Sequence, residues 1–131
     1  MHINPYTFLN MRHLYKDQSC FKVVYVGRHP KDACVSWFHH TSLQGFKLDF
    51  HYLAKMFKNG ITMHSPIMPH MLEAWNLKEN PNLYFTTYEC MKKDLQKVVT
   101  EVASFMGKTL TDEQMNRLLD TVDIKSMRKN K

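Results

Sequence analysis

The fold class is predicted by residues 21–32, which read Phe-Lys-Val-Val-Tyr-Val-Gly-Arg-His-Pro-Lys-Asp. The β-branched and aromatic residues before Gly27 form a nearly continuous apolar run, which is typical of a strand buried on both faces of a parallel sheet. Gly27 ends the strand, and Pro30 suits the first position of a helix because its missing N–H is not needed there. Asp32 in that first turn complements the helix dipole. The segment therefore predicts a buried strand that leads through a short loop into a helix.

Outward from this segment, the chain predicts further helices and one more strand. The first helix ends near Ser42–Gly45 and turns Val35 and Phe38 inward. A second strand is predicted over residues 83–88, Leu-Tyr-Phe-Thr-Thr-Tyr. The other helices are predicted from the cap Asp49 to Asn59, from Pro66 to before Asn80, from Asp94 to Met106, and from the capping box of Thr111 with Gln114 onward.

Two strands joined by long helical connections imply an α/β fold, with parallel strands flanked by helices. Parallel sheets usually contain more strands, because each strand needs neighbours on both sides. The length of 131 residues suits one domain and leaves no room for a second. We therefore expect residues 1–131 to form a single, incomplete domain.

The composition argues against several classes of protein. Apolar residues make up 44% and charged residues 23% of the chain, as in globular proteins. The apolar runs are too short for a membrane-spanning helix, so no membrane association is expected. The N-terminus lacks the apolar core of a signal peptide, and three cysteines fit a reducing compartment, which predicts a cytoplasmic location. The cysteines show no spacing typical of zinc ligands, so we expect no metal.

The formal charge of +6 favours an anionic ligand. A nucleic acid would be one such ligand, but the sequence contains no zinc finger, RNA-binding aromatic motif or stripe of Lys and Arg. The best candidate for an anion site is Arg28, at the carboxyl end of the first strand, together with Ser36 in the following helix. The helix N-terminus offers N–H groups there, and a guanidinium can grip a phosphate at two points. The alternative from spacing alone is a surface arginine and a solvated serine.

The residues around Arg28 resemble a known family. Residues 22–40, Lys-Val-Val-Tyr-Val-Gly-Arg-His-Pro-Lys-Asp-Ala-Cys-Val-Ser-Trp-Phe-His-His, are similar to the cytosolic sulfotransferases, whose signature is a strand, Arg-Asn-Pro-Lys-Asp, Val-Ser, two aromatics and His. The chain departs from this signature at His29, where the family usually has Asn. The resemblance implies a P-loop-type sulfotransferase fold, the sulfonate donor 3′-phosphoadenosine 5′-phosphosulfate (PAPS), and contacts from Arg28 and Ser36 to its 3′-phosphate.

Further segments extend the resemblance along the chain. Residues 69–75 are similar to a His and Trp helix of the family, and residues 83–94 match its second strand, where the family's Tyr contacts adenine, which implies that role for Tyr88. Residues 105–108 and 126–130 fit later helices. The pattern around His2 resembles the segment that carries the family's catalytic His, which implies that His2 is the general base. The alternative is an ordinary terminal histidine.

Two motifs of the family are not found in the sequence: the phosphate-binding loop Tyr-Pro-Lys-Ser-Gly-Thr-Thr-Trp and the later Arg-Lys-Gly segment. Residues 122–124, Val-Asp-Ile, also replace Thr-Ser-Phe near the adenine. The resemblance implies transfer of a sulfonate group from PAPS to a hydroxyl or amine of a small acceptor, with little activity expected from this chain alone. The alternative is a non-catalytic fragment or pseudoenzyme that retains part of a nucleotide-binding surface. The residues carry no signal for an oligomeric state.

Overall fold

The two predicted strands are neighbours in a sheet. The computed structural model describes residues 21–62 and 66–122. In these ranges, strand β1 (Val23–Gly27) and strand β2 (Leu83–Thr87) form a two-stranded parallel sheet. The helices are α1 (Pro30–Leu43), α2 (Phe50–Lys58), α3 (Ile67–Asn76), α4 (Tyr88–Lys93), α5 (Leu95–Phe105) and α6 (Asp112–Val122). The prediction of an α/β fold with parallel strands flanked by helices is confirmed.

The chain divides into two compact units, and the first ends at Phe85. The core of this first unit is built on Ala74 of α3 and Leu83 of β2, which are 0% and 4% exposed. Four partly buried side chains pack against this pair: Val23, Tyr25, Leu77 and Phe85. An alanine at the contact lets the helix backbone approach the strands closely, so α3 covers one face of the sheet.

The second unit starts at Thr86, so it includes the last two residues of β2 and the helices α4, α5 and α6. Within it α4 contacts α5, and α5 contacts α6. Val98 of α5 and Met115 of α6 are its buried apolar side chains among the described residues. The division into two compact units does not test the expectation that residues 1–131 form one incomplete domain, which stays a prediction.

The predicted burial of β1 on both faces is wrong. Side chains alternate along a strand, and here Val23 and Tyr25 face the core while Val24 and Val26 are 42% and 48% exposed. The described residues cover only the first of these faces. The expected inward position of Val35 on α1 is also wrong, because its side chain is exposed.

Three local signals for helix ends are confirmed, whereas the helix predicted to end just before Asn80 ends at Asn76. The backbone N–H of Tyr52 donates to Oδ1 of Asp49 at 3.0 Å, so Asp49 caps α2 as predicted. The capping box before α6 is complete, because Thr111 N–H donates to Gln114 Oε1 at 3.0 Å and Gln114 N–H donates to Thr111 Oγ1 at 3.3 Å. Gly107 follows α5 with φ of 70°, a conformation that glycine adopts at no steric cost.

The prediction for the end of β2 is wrong by one residue, and a short helix was not predicted. The strand ends at Thr87, and Tyr88 is the first residue of α4. The hydroxyl of Thr87 accepts a hydrogen bond from the backbone N–H of Cys90 at 3.2 Å. This cap begins a helix directly at the end of the strand, where the aromatic and β-branched residues favour a longer strand.

The N-cap of α1 yields a prediction about stability. His29 occupies that position and its side chain makes no capping hydrogen bond. Asparagine, which the sulfotransferase signature has there, can accept from a first-turn N–H. We expect His29→Asn to raise the free energy of unfolding by about 0.5–1 kcal/mol, measured by urea denaturation followed by circular dichroism. The same change in mid-helix, His39→Asn, serves as control, and an equal gain there would exclude capping as the cause.

Candidate functional site

The junction between β1 and α1 places a guanidinium at the carboxyl end of a strand. Gly27 is buried and ends β1, Arg28 is half-buried, and α1 begins at Pro30. The Nε atom of Arg28 is buried, so the base of the guanidinium lies against the protein. The carboxyl ends of strands are where open α/β sheets bind ligands, and the sequence predicted this location for Arg28.

The start of α1 adds hydrogen-bond donors to this junction. The first helical hydrogen bond runs from Ala33 N–H to the carbonyl O of His29, at 2.9 Å. Proline has no N–H, and the His29 side chain does not cap the turn. The N–H groups of Lys31 and Asp32 therefore belong to the uncapped first turn, a suitable environment for an anion. The Asp32 carboxylate lies in that same turn and offsets part of the positive field.

Ser36 lies on the exposed surface of the same helix. It follows Pro30 by six residues, which places it about 9 Å along the helix axis at the standard rise per residue. The Cα–Cβ bonds of a helix tilt toward its N-terminus, so the side chain of Ser36 starts out toward the Arg28 end of α1. Arg28 and Ser36, the two residues predicted to bind an anion, thus lie on the same β1–α1 connection and helix.

A hydrogen bond between Tyr25 and His70 holds β1, the strand that leads to Arg28, against α3. The Tyr25 hydroxyl lies 3.0 Å from Nδ1 of His70 in α3. The Tyr25 ring stacks on the Phe85 ring, with 5.4 Å between their centroids. Trp75 contacts the same Phe85 ring edge-to-face, with 5.3 Å between centroids. Burial raises the pKa of the Tyr25 hydroxyl above its ordinary value of 10.0. Sequence reasoning missed this contact, because His70 stands 45 residues from Tyr25 and the nearly continuous apolar run of β1 carries no signal for a distant partner.

The other predicted site residues lie elsewhere. Tyr88 is the first residue of α4 and is half-buried. His2 lies outside the described residues. Within residues 21–62 and 66–122, His, Cys, Asp and Glu side chains form no group suited to holding a metal ion. No helix in these same ranges is long and apolar enough to cross a membrane.

Comparison with known proteins identifies the family. The family model described as a sulfotransferase domain matches residues 5–131. The chain belongs to the sulfotransferase family. It is 39% identical to luciferin sulfotransferase of Photinus pyralis over 111 residues, which are 84% of this chain and 30% of that protein. The family assignment predicted from residues 22–40 is therefore confirmed.

Solved sulfotransferase structures share the fold. One is a retinol dehydratase in complex with androsterone and the inactive cofactor PAP (3′-phosphoadenosine 5′-phosphate), which superposes with a TM-score of 0.78 at 35% identity. The superposition covers 83% of this chain and 33% of the retinol dehydratase chain. A mouse sulfotransferase complexed with PAP gives a TM-score of 0.77 at 26% identity, covering 85% of this chain and 41% of that one. The chain thus spans 30–41% of the length of these relatives.

The contact between Tyr25 and His70 predicts a measurable effect on stability. We expect Tyr25→Phe to lower the free energy of unfolding at neutral pH by about 0.5–1.5 kcal/mol, the usual contribution of one hydrogen bond. The folded chain holds this proton to higher pH than the unfolded chain, so stability falls as pH rises above 10.0. Tyr25→Phe has no such proton to lose, so its free energy of unfolding should fall less between pH 7 and pH values above 10. Urea denaturation at pH 7 and above pH 10 measures both effects.

The matched control is Tyr52→Phe, because the Tyr52 side chain is 59% exposed. We expect this control to change the free energy of unfolding little at neutral pH. If Tyr25→Phe were as stable as the unaltered chain at neutral pH, the hydrogen bond to His70 would not hold β1 against α3.

Proposed function

We propose that the chain forms part of a PAPS-dependent sulfotransferase domain, which transfers a sulfonate group from PAPS to a hydroxyl or amine of a small acceptor. Family membership and the PAP complexes of two structural neighbours support this activity. Androsterone and retinol in the retinol dehydratase structures support a small apolar molecule as the class of acceptor. We propose that residues 1–131 belong to a single sulfotransferase domain and form only part of it. A cytoplasmic location belongs to the same proposal.

The observation that carries the proposal is the junction of β1 with α1. Arg28 is half-buried and stands two residues before α1, whose uncapped first turn supplies N–H donors, so a positive charge and helix N–H groups are neighbours along the chain. Phosphate groups bind to this combination of arginine and helix N-terminus. The residues present therefore fit the 3′-phosphate of PAPS. We assign Arg28 and Ser36 to that phosphate.

Two further roles are part of the proposal. Tyr88 is assigned to the adenine, because its half-buried ring offers an aromatic face at the start of α4. His2 is assigned as the general base that accepts the proton of the acceptor hydroxyl, since the pKa of an ordinary histidine lies near physiological pH. Both assignments depend on the resemblance of the surrounding residues to the family's motifs.

A second candidate function is a non-catalytic fragment or pseudoenzyme that retains part of a nucleotide-binding surface. It is favoured by the apolar face of β1 that the described residues leave exposed. Preorganised donors aimed at the leaving phosphate are a large part of catalysis, each typically contributing about 10²–10³ in rate. A chain without those donors retains nucleotide contacts and loses turnover. The two candidates share the Arg28 site and differ in catalysis.

The nucleotide site can be tested by calorimetry with PAP. We expect Arg28→Ala to weaken binding by about 1.5–3 kcal/mol, the range for a hydrogen bond to a charged group, and Ser36→Ala to weaken it by about 0.5–1.5 kcal/mol. The ligand control is 5′-AMP, which lacks the 3′-phosphate and whose affinity should not change in Arg28→Ala. The protein control is Arg117→Ala on the exposed surface of α6.

Equal affinities of the unaltered chain and Arg28→Ala for PAP would remove Arg28 from the site. A loss in Arg28→Ala that is the same for PAP and 5′-AMP would assign Arg28 to a part of the nucleotide other than the 3′-phosphate. A loss in Arg117→Ala of similar size would indicate a general charge effect.

Turnover distinguishes the two candidate functions. We expect this chain to transfer little or no sulfonate from radiolabelled PAPS to a panel of phenols, alcohols and amines. The same chain joined to the preceding segment of a relative that contains the phosphate-binding loop should gain activity, and His2→Ala should then abolish the gain. Robust turnover by the 131-residue chain, lost in His2→Ala, would contradict the expectation. A joined chain that binds PAP and remains inactive would favour the pseudoenzyme.

A further inference from the structure

A second concave site lies in the first unit, next to the Arg28 junction, with which it shares the start of α1. A cavity of about 570 Å³ opens between the start of α1, the end of α2 and the start of α3. This volume falls within the range of about 300–1,000 Å³ that is typical of small-molecule sites. The side chains that decide its chemistry are Cys34, Phe57, Ile67, Met68, Lys31 and Lys58.

The walls of this cavity are apolar. Phe57, Ile67 and Met68 contribute aromatic and aliphatic surface, and three proline rings add to it. Cys34 is 8% exposed, and burial raises the pKa of its thiol, so at neutral pH it presents an uncharged apolar surface. A ligand that fills this space therefore needs a hydrophobic body.

The charged side chains that line the cavity within residues 21–62 and 66–122 are of one sign. Lys31 and Lys58 belong to the lining, and these ranges contribute neither Asp nor Glu to it. Both lysines are exposed, and neither joins an ion pair among the described residues. Lys31 is also in the first turn of α1, where the helix dipole is positive. The lysines and the dipole together favour an anionic group at this side of the cavity.

We propose that the cavity binds a small amphipathic anion, with an aromatic ring system against the apolar wall and a carboxylate or sulfonate beside Lys31 and Lys58. The charge of the lining selects an anion over a neutral ligand of the same shape. This site adjoins the proposed phosphate site at the first turn of α1, and beyond that turn the two sites use different sides of the helix. Ser36 follows Cys34 by two residues, which is about 200° around the helix, and Arg28 is not among the lining residues. Sulfate esters of aromatic acceptors belong to this chemical class, so a product of the proposed reaction is one candidate occupant.

The first test compares two isosteric probes by calorimetry on the full chain. Naphthalene-2-sulfonate carries the anionic group, and naphthalene-2-sulfonamide presents the same ring system without charge at neutral pH. We expect the sulfonate to bind with one site per chain and the sulfonamide to bind several-fold more weakly. Equal affinities, or no binding of the sulfonate, would overturn the proposal.

Paired substitutions assign the charge selectivity to the cavity. We expect the double variant Lys31→Gln with Lys58→Gln to weaken sulfonate binding roughly three- to tenfold, as suits two exposed cations, and to leave sulfonamide binding unchanged. Lys55→Gln is the matched control, because Lys55 is also an exposed lysine in the last turn of α2 and does not line the cavity. An equal loss in the control would show general attraction to a basic surface, which contradicts the proposed site.

Cys34 gives a second readout that reports location directly. In a Cys20→Ser background, N-ethylmaleimide modification is followed at Cys34 and at Cys90 by mass spectrometry. We expect naphthalene-2-sulfonate to slow modification of Cys34, which lines the cavity, and to leave the exposed Cys90 unaffected. Unchanged modification of Cys34 at a saturating concentration of the probe would place the bound probe elsewhere.

Arg28→Ala separates this site from the proposed nucleotide site. The variant should lose affinity for PAP and keep its affinity for naphthalene-2-sulfonate. Loss of both ligands would assign the anion to the Arg28 junction and overturn the second site. If Arg28→Ala kept its affinity for both ligands, the result would contradict the proposed nucleotide site and leave the cavity proposal standing.

Discussion

The close approach of α3 to the two strands at Ala74 is the contact on which the first unit depends. Ala74 is fully buried, and Leu83 of β2 packs against it. A larger side chain at this position would force the helix away from the sheet, at a cost of about 1–3 kcal/mol for overpacking. The separation set here brings His70, one helical turn before Ala74, within hydrogen-bonding distance of Tyr25. The direction of β1, and with it the position of Arg28, follows from this packing.

The parts of the fold that depend on neighbouring residues were predictable from the sequence. Asp49 caps α2 through a group three residues away, and Thr111 and Gln114 cap α6 in the same way. Such bonds need only a local turn of backbone, so the residue pattern contains all the necessary information. Arg28 was predictable for the same reason, because a strand that ends at Gly27 places the next residue at its carboxyl end.

The rest depends on which distant residues cover a surface. The apolar run of β1 indicated burial on both faces, yet Val24 and Val26 are exposed because the described residues cover one face only. The bond between Tyr25 and His70 joins residues far apart in the chain, and periodicity carries no signal for such pairs. The apolar cavity is formed by three separate segments. Each contributes ordinary core-forming residues, so none of them predicts a concave site by itself.

The direct passage from β2 into α4 has a consequence for how the chain tolerates change. Thr87 is both the last residue of the strand and the cap of the helix, with no loop residue between them. One inserted residue after Thr87 would move its hydroxyl away from the Cys90 N–H that it now caps and would shift Tyr88 away from the end of the strand. The segment of residues 44–49, between α1 and α2, contains several residues outside helices that can absorb such an insertion. Length variation among relatives is therefore expected to collect in residues 44–49 and to avoid the boundary between Thr87 and Tyr88.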